Sequence, residues 1–239
     1  MSVLALVRHG QASFFADEYD RLSPKGVEQS RLLGQYWVHQ NARFDTVYVG
    51  PRWRQQQTAV EVGAQYREAG LSWPEPILSA ELDEYDLAGL FTYFSPSLAS
   101  RNKAFEGLRD EYHSNADNSM SASRFQRMFE MLLTHWQIAP VADDRVESWP
   151  TFRDRVRCGL NLLTSGQGQG RRVAAFTSGG FIGTAVGLVL GAPDRTALDL
   201  NWRVRNGSTT SFLFNSDRVT LDEFNTVAHL PDSAFLTYR

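Results

Sequence analysis

The chain has 239 residues, of which 42% are apolar and 21% are charged, and its formal net charge is −3. This composition is ordinary for a globular protein and excludes a strong general attraction to nucleic acid or to an anionic membrane. Cys158 is the only cysteine, so an intrachain disulfide is excluded, a thiolate metal site is not expected, and a reducing cytoplasm is the expected compartment. We expect neither a metal ion nor a cofactor.

The first third of the chain alternates between strand-like and helix-like patterns. Residues 3–7 predict a short strand, and they lack the basic leader and the length of a signal peptide. Ser23 followed by Pro24 predicts the N-cap and first turn of a helix. Residues 45–50 and 75–79 predict two further strands. A helix between them is predicted by apolar or small residues spaced i, i+3, i+4, i+7, at Ala59, Val62, Gly63 and Tyr66.

Residues 86–146 contain no pattern that favours a strand. A helical stripe, typical of a buried helix face, is formed by Phe125, Met128, Phe129, Leu132, Leu133 and Trp136. The polar residues around 113–123 predict a mobile loop. We interpret 86–146 as a mainly helical insertion that lies over the main sheet of one domain, residues 1–239. The cationic residues of this segment supply either contacts to an anion or a solvated surface. They are Arg101, Lys103, Arg109, Arg124 and Arg127.

The uncharged run at residues 173–193 is long enough for a bilayer, and it contains the Gly183-x-x-x-Gly187 spacing of packed membrane helices. The small and polar residues at 177–180 would interrupt such a helix in its first third. We therefore predict a buried strand at 173–176 that turns into a tightly packed helix at 181–190.

Around this run the alternating pattern continues. Apolar residues from 152 to 163 predict a helix, and residues 209–215 and 219–225 predict a terminal pair of strands. Strands that alternate with helices favour a three-layer α/β/α sandwich with a largely parallel central sheet.

Four short turns rich in charged or small residues follow the predicted strands. They are "RHG" after Val7, "GPRWR" after Val49, "ELDEYD" after Ile77 and "TSGG" after Phe176. Because sites in such sheets gather at the carboxyl ends of the strands, we expect these turns to form one site.

The residue types in these turns point to phosphoryl transfer. The guanidinium groups of Arg52 and Arg54 suit phosphoryl oxygens. A neutral His9 imidazole is a competent nucleophile if its other ring nitrogen is held by an acceptor, and Glu84 is a candidate proton donor to the leaving group. Taken alone, His9 is better explained as a hydrogen-bonded surface histidine, and the functional interpretation depends on its partners.

Four motifs in order, "LVRHGQAS", "DRLSPKGVEQS", "VYVGPRWRQQQTA" and "LDEYDLAG", resemble the signatures of the histidine phosphatase superfamily, the phosphoglycerate mutase-like proteins. The resemblance extends to "RNGSTTSFLF" and "FNTVAHL" near the end. It implies a phosphoglycerate mutase-like fold, His9 as the phosphorylated nucleophile and Glu84 as the proton donor. The implied phosphate-binding residues are Arg8, Gln11, Arg54, Ser178 and Gly179.

Ser178 stands where the family has a second pocket histidine. Loss of such a donor typically costs ~3–4 kcal/mol of transition-state stabilisation, although a serine hydroxyl still donates one hydrogen bond. Smaller departures from the family pattern are Ala12, Phe15 and Gly50. Phosphate binding is therefore expected to persist, and Ser178→His is expected to raise the rate of ester hydrolysis. No other histidine has a spacing that favours the pocket, whether His39, His113, His135 or His229.

Three functions are compatible with these residues. The leading hypothesis is a phosphatase that acts on a small phosphorylated molecule through phospho-His9. The replacement at Ser178 favours an alternative, a catalytically impaired module that binds phosphate or a phosphoprotein. A mutase-type phosphotransferase is a third option.

Overall fold

The computed structural model describes residues 1–13, 20–114, 122–166 and 170–238. The chain divides into two compact units, the first comprising Met1–Glu84 with Arg155–Arg239 and the second Tyr85–Asp154. Phe15 and most of the loop predicted at 113–123 lie outside the described residues.

The first unit is built on a six-stranded sheet with the strand order β3-β2-β4-β1-β5-β6. The strands are β1 Ser2–Arg8, β2 Thr46–Val49, β3 Ile77–Leu78, β4 Arg172–Thr177, β5 Thr209–Phe214 and β6 Val219–Thr226. Strands β1 to β4 pair in parallel, whereas β5 pairs antiparallel with β1, and β6 antiparallel with β5. The predicted α/β fold with a largely parallel sheet is confirmed, and β3 is shorter than predicted.

Two helices cover one face of this sheet, α1 Pro24–His39 and α2 Trp53–Glu68. The predicted N-cap of α1 is confirmed, since Ser23 Oγ accepts the Gly26 N–H at 3.1 Å. Leu33 and Trp37 of α1 pack into a buried cluster with strand residues such as Val7 and Phe176. Strand side chains alternate between faces, and Leu4 and Leu6, which face the other way, are also fully buried.

The uncharged run forms β4 and then α7 Gly179–Leu190, which contacts β1 and β6 and packs against α8 Asp194–Asn201. A Cβ at Gly183 would lie only 2.5 Å from Ala197 O, so glycine at this position allows the close approach of α8. None of the described helices is long and apolar enough to cross a membrane. The predicted strand and tightly packed helix are confirmed. The helix starts two residues earlier than predicted, and α8 was not predicted.

The second unit contains α3 Leu87–Arg101, α4 Lys103–Ser114, α5 Ala122–Ile138 and the first residues of α6 Trp149–Thr164. The described part of 86–146 has no strand. The predicted stripe on α5 is core, since Met128, Leu132 and Trp136 are fully buried. The interpretation of this segment as an insertion that lies over the sheet stays a prediction.

Candidate active site

The predicted site residues follow strands that end together at one edge of the sheet. Strands β1 and β4 end in register, with Arg8 opposite Thr177, and the His9 N–H donates to Thr177 O at 3.0 Å. Gly50, directly after β2, donates its N–H to Phe176 O at 3.0 Å. The turns that follow β1, β2 and β4 therefore meet at one edge, as expected for parallel strands.

His9 is buried, with 6% of its surface exposed. Its Nδ1 lies 2.7 Å from Gly10 O, and because a carbonyl can only accept, Nδ1 carries the proton and Nε2 carries the lone pair. Arg54 Nε donates to this Nε2 at 3.1 Å. Burial, followed by the positive charges of Arg54 and Arg8, holds the pKa of His9 well below its ordinary value, against the smaller opposing effect of the Gly10 bond. The imidazole is therefore neutral at pH 7, and the lone pair of Nε2 faces the Arg54 guanidinium.

Arg54 lies in the first turn of α2 and is 7% exposed. Its Nη1 donates to Asp20 Oδ1 at 2.6 Å, while the Trp53 N–H donates to Asp20 Oδ2 at 2.7 Å. Asp20 thus fixes the second guanidinium and occupies the N-terminus of α2, where a carboxylate is favoured. Sequence reasoning missed Asp20, because the pair joins residues 34 positions apart and no local pattern marks it.

Arg8 extends from the end of β1, and its Nη1 donates to Val204 O. The guanidinium lies beside Gly179, where an added Cβ would be 3.6 Å from Arg8 Cζ and 2.8 Å from Asn201 Oδ1. A side chain at position 179 would therefore press on the Asn201 amide. Glycine here leaves the space that the arginine and asparagine side chains use.

Ser178 is the N-cap residue of α7 and is 1% exposed. Its hydroxyl makes no capping bond to the helix, and instead Oγ accepts a hydrogen bond from Gln55 Nε2 at 2.8 Å. Gln55 is fully buried on α2, one residue after Arg54. Sequence reasoning missed this partner, since 123 residues separate the two side chains.

Glu84 joins the same helix terminus as Ser178, since its Oε2 accepts the Gly180 N–H at 2.9 Å. Its turn is held by Arg52, whose Nε donates to Asp83 Oδ1 at 2.6 Å and whose Nη2 donates to Glu84 O at 3.4 Å. Arg155 Nη1 donates to Asp83 O at 2.8 Å from the other side. From the sequence, the Arg52 guanidinium was assigned to phosphoryl oxygens, whereas its described bonds are to the turn that carries the candidate acid. Sequence reasoning did not anticipate this positioning role.

Two further side chains hold the backbone of the His9 turn. Thr58 Oγ1 accepts the Gly10 N–H at 3.1 Å, and Asn206 Nδ2 donates to His9 O at 3.3 Å. Gln11, by contrast, is not brought to the other predicted residues by any described side-chain bond. Its Oε1 accepts from Ser23 Oγ at 3.1 Å, so its described contact is with the start of α1.

Besides His9, the histidines of the first unit are His39 and His229. His229 is buried, and burial lowers its pKa to about 4. Its Nε2 lies 3.8 Å from the position of a Cβ on Gly207. His39 is an exposed residue at the end of α1.

Across residues 1–13, 20–114, 122–166 and 170–238, there is no group of three His, Cys, Asp or Glu residues that could hold a metal ion.

The fold is shared with solved enzymes of low sequence identity. The alpha-ribazole phosphatase from Shigella flexneri has 19% identity and a TM-score of 0.61, with 95% of this chain and 97% of that chain covered. A phosphoserine phosphatase mutant from Entamoeba histolytica, in complex with phosphoserine, has 19% identity and a TM-score of 0.61, with 96% and 100% covered. The phosphoglycerate mutase from Bacillus anthracis has 17% identity and a TM-score of 0.62, with 95% and 94% covered.

Comparison by sequence gives two results. No curated protein matches the chain significantly. The sequence model of the family described as "Histidine phosphatase superfamily (branch 1)" matches residues 4–92 and 105–227. Since this match extends over most of the chain and includes the turns that carry His9, Arg54, Glu84 and Ser178, the protein belongs to the histidine phosphatase superfamily, branch 1.

Proposed function

We propose that this protein is a phosphatase that hydrolyses a phosphate monoester through a phosphohistidine intermediate on His9. One observation carries the proposal: a neutral imidazole whose Nδ1–H is held by Gly10 O and whose Nε2 faces the Arg54 guanidinium. A buried, neutral nitrogen nucleophile beside a fixed cation is what phosphoryl transfer to nitrogen needs.

In the first step, His9 Nε2 attacks phosphorus and the bond from phosphorus to the ester oxygen breaks. The ring becomes cationic when Nε2 is phosphorylated, and the Nδ1–H bond to Gly10 O stabilises that charge. Arg54 Nε turns from Nε2 to a phosphoryl oxygen while Asp20 keeps its Nη1 in place. Glu84, when protonated, transfers its proton to the leaving oxygen.

In the second step, water attacks the phosphoryl group and the bond from phosphorus to Nε2 breaks. Glu84, now ionised, accepts a proton from that water, so the products are inorganic phosphate and a neutral His9. Throughout both steps, Arg8 and Ser178 donate to the equatorial oxygens, which carry the charge in the transition state.

A small phosphorylated molecule is the proposed substrate class, since two similar folds are those of phosphatases and one is that of a mutase. The single cysteine and the net charge of −3 support a cytoplasmic location and a partner that is neither nucleic acid nor membrane.

One observation favours a second candidate, a phosphate- or phosphoprotein-binding module. Ser178 contributes a neutral hydroxyl at the place where the resemblance implies an imidazole, so transition-state stabilisation would be weaker while Arg8 and Arg54 keep the ground-state attraction for phosphate.

The two candidates are separated by hydrolysis of a generic aryl phosphate by the purified protein, with His9→Ala as the control. Acid-quenched protein is examined by mass spectrometry for a phosphoryl group on the peptide that contains His9. Turnover that is lost in His9→Ala, together with a phosphorylated peptide, supports the phosphatase. Calorimetric binding of inorganic phosphate without turnover supports the binding module and contradicts the phosphatase.

A further inference from the structure

The bond between Gln55 and Ser178 has a defined direction. Gln55 Oε1 accepts the backbone N–H of Arg52 at 3.1 Å, so this end of the amide is the oxygen. The opposite end is therefore the Nε2 amine, which donates to Ser178 Oγ at 2.8 Å and lies 3.4 Å from Leu82 O. Ser178 Oγ is the acceptor, and its own proton is directed elsewhere.

Within the described residues, the Ser178 hydroxyl makes no bond as a donor, although the side chain is almost fully buried. A buried hydroxyl proton without an acceptor is unfavourable unless another group arrives to accept it. Ser178 lies directly after Thr177, whose carbonyl accepts the His9 N–H, and directly before Gly179, which lies beside Arg8. An anion bound at His9 would be a suitable acceptor for this proton.

Gly50 provides the space that this arrangement needs. A Cβ at position 50 would lie 2.1 Å from Gln55 Oε1 and 2.8 Å from Leu82 O. Any side chain at position 50 would displace the Gln55 amide from Ser178. One buried neutral unit is thus formed by Gly50, Gln55 and Ser178. The Gln55–Ser178 bond requires glycine at position 50, so the departures from the family pattern at positions 50 and 178 depend on each other.

We propose that Gln55 is a positioning residue that fixes the Ser178 hydroxyl as a hydrogen-bond donor to the phosphoryl group at His9. Both protons of the Gln55 amide point at protein acceptors, so the side chain acts through Ser178 and does not contact the substrate. The inference rests on the proposed function, because it assigns a role within the same phosphoryl-binding site.

The central test is a double-mutant cycle on kcat for an aryl phosphate. Ser178→Ala is expected to lower kcat roughly 100-fold, since one donor to the transition state is lost. Gln55→Leu is expected to lower kcat about 10-fold with little change in KM, because the hydroxyl loses its orientation. In the Ser178→Ala background Gln55→Leu should have almost no effect. Additive losses, or an unchanged kcat in Gln55→Leu, would overturn the proposal.

Gln55→Glu adds a readout that a purely structural role would not give. It keeps the acceptor for the Arg52 N–H, but an ionised carboxylate only accepts, so Ser178 would turn its proton toward Glu and away from the substrate. A protonated carboxyl group donates like the amide. The kcat of the variant relative to wild type should therefore rise as the pH is lowered, and a ratio independent of pH contradicts the proposal.

Gln56→Leu is the matched control, since Gln56 is the next residue of α2 and its Nε2 donates to Pro51 O, its one side-chain bond among the described residues. Its kcat should match that of wild type. Thermal unfolding of all variants checks that each one folds.

Vanadate binding separates failure of this inference from failure of the proposed function. Pentacoordinate vanadate resembles the transition state of phosphoryl transfer, so its Kd reports the Ser178 donor even without turnover. If the wild type binds vanadate but hydrolyses no ester, the phosphatase proposal fails. The role of Gln55 is still supported if Gln55→Leu and Ser178→Ala weaken vanadate binding non-additively. If these variants bind vanadate as tightly as the wild type, the role of Gln55 is wrong whatever the turnover.

Discussion

Arg8 and Arg54, together with His9, form the charged side of the candidate active site, whereas Gly50, Gln55 and Ser178 form its neutral side. On the charged side, Arg54 is paired with a carboxylate and Arg8 with a main-chain carbonyl. On the neutral side, a buried amide donates to a buried hydroxyl at 2.8 Å, and neither group is an ion.

This difference in charge suggests different roles for the two sides of the candidate site. Burial and the two guanidinium groups already lower the pKa of His9, and an imidazolium at position 178 would add a third positive charge. A hydroxyl supplies a hydrogen bond without that charge. We therefore expect the charged side to dominate binding and nucleophilic attack, and the neutral side to tune the rate.

The largest effect should come from the nucleophile. His9→Ala is expected to lower kcat for an aryl phosphate at least about 1,000-fold, because no other group takes the covalent role. Binding of inorganic phosphate, measured by calorimetry, should persist through Arg8 and Arg54. His39→Ala, an exposed histidine at the end of α1, is the control. A His9→Ala variant with near-normal turnover would contradict the assignment of the charged side.

Removing the second guanidinium should have the next largest effect. Arg54→Met is expected to reduce kcat roughly 100- to 1,000-fold, because a preorganised charged donor is lost. The same change should raise the pKa of His9 toward its ordinary value, since the charge of Arg54 is one of the causes that lower it. Steady-state kinetics and NMR titration of His9 check both results, with Arg31→Met, an exposed arginine paired with Glu61, as the control. An unchanged pKa of His9 in Arg54→Met would contradict this prediction.

The neutral side can be converted to a charged one. Introducing an imidazole at position 178 should add about half of a donor's contribution, which corresponds to roughly 10- to 30-fold in kcat. The Gln55 amide lies against Ser178 Oγ, so we expect this gain in the double variant Gln55→Ala/Ser178→His and a smaller gain in Ser178→His alone. The gain must vanish when His9→Ala is added. A folded double variant that is slower than wild type would mean that serine is the adapted residue.

The smallest effect concerns pH. Because the pKa of His9 is lowered in the folded protein, its imidazole is still neutral at pH 6.5. It is protonated, and loses its nucleophilic form, only when the pH falls through the pKa of the folded protein. The acid limb of kcat/KM should therefore lie below pH 6.5 and should move up in Arg54→Met. It should stay in place in Gln55→Leu, because the neutral side carries no charge that acts on His9. An acid limb at or above pH 6.5 in the wild type would contradict the neutral-nucleophile geometry.

Much of the fold followed from the sequence, because its signals are local. The Ser23-Pro24 pair marks the start of α1, since an N-cap needs only a side-chain oxygen near the next turn. Small polar residues between two apolar runs identified β4 and α7 as core and not a membrane span. The turns that carry His9, Arg54 and Ser178 were predictable as one edge, because parallel strands end on the same side of a sheet.

The tertiary structure decided which groups hold these residues. The bonds from Arg54 to Asp20 and from Gln55 to Ser178 join positions 34 and 123 residues apart. Helix α8 was not predicted, and its close approach to α7 depends on the space left by Gly183. The two hydrogen bonds and the position of α8 have one physical reason in common. Hydrogen-bond direction, charge compensation and close packing depend on atoms that come together only when the sheet assembles, whereas propensity and periodicity act along the chain.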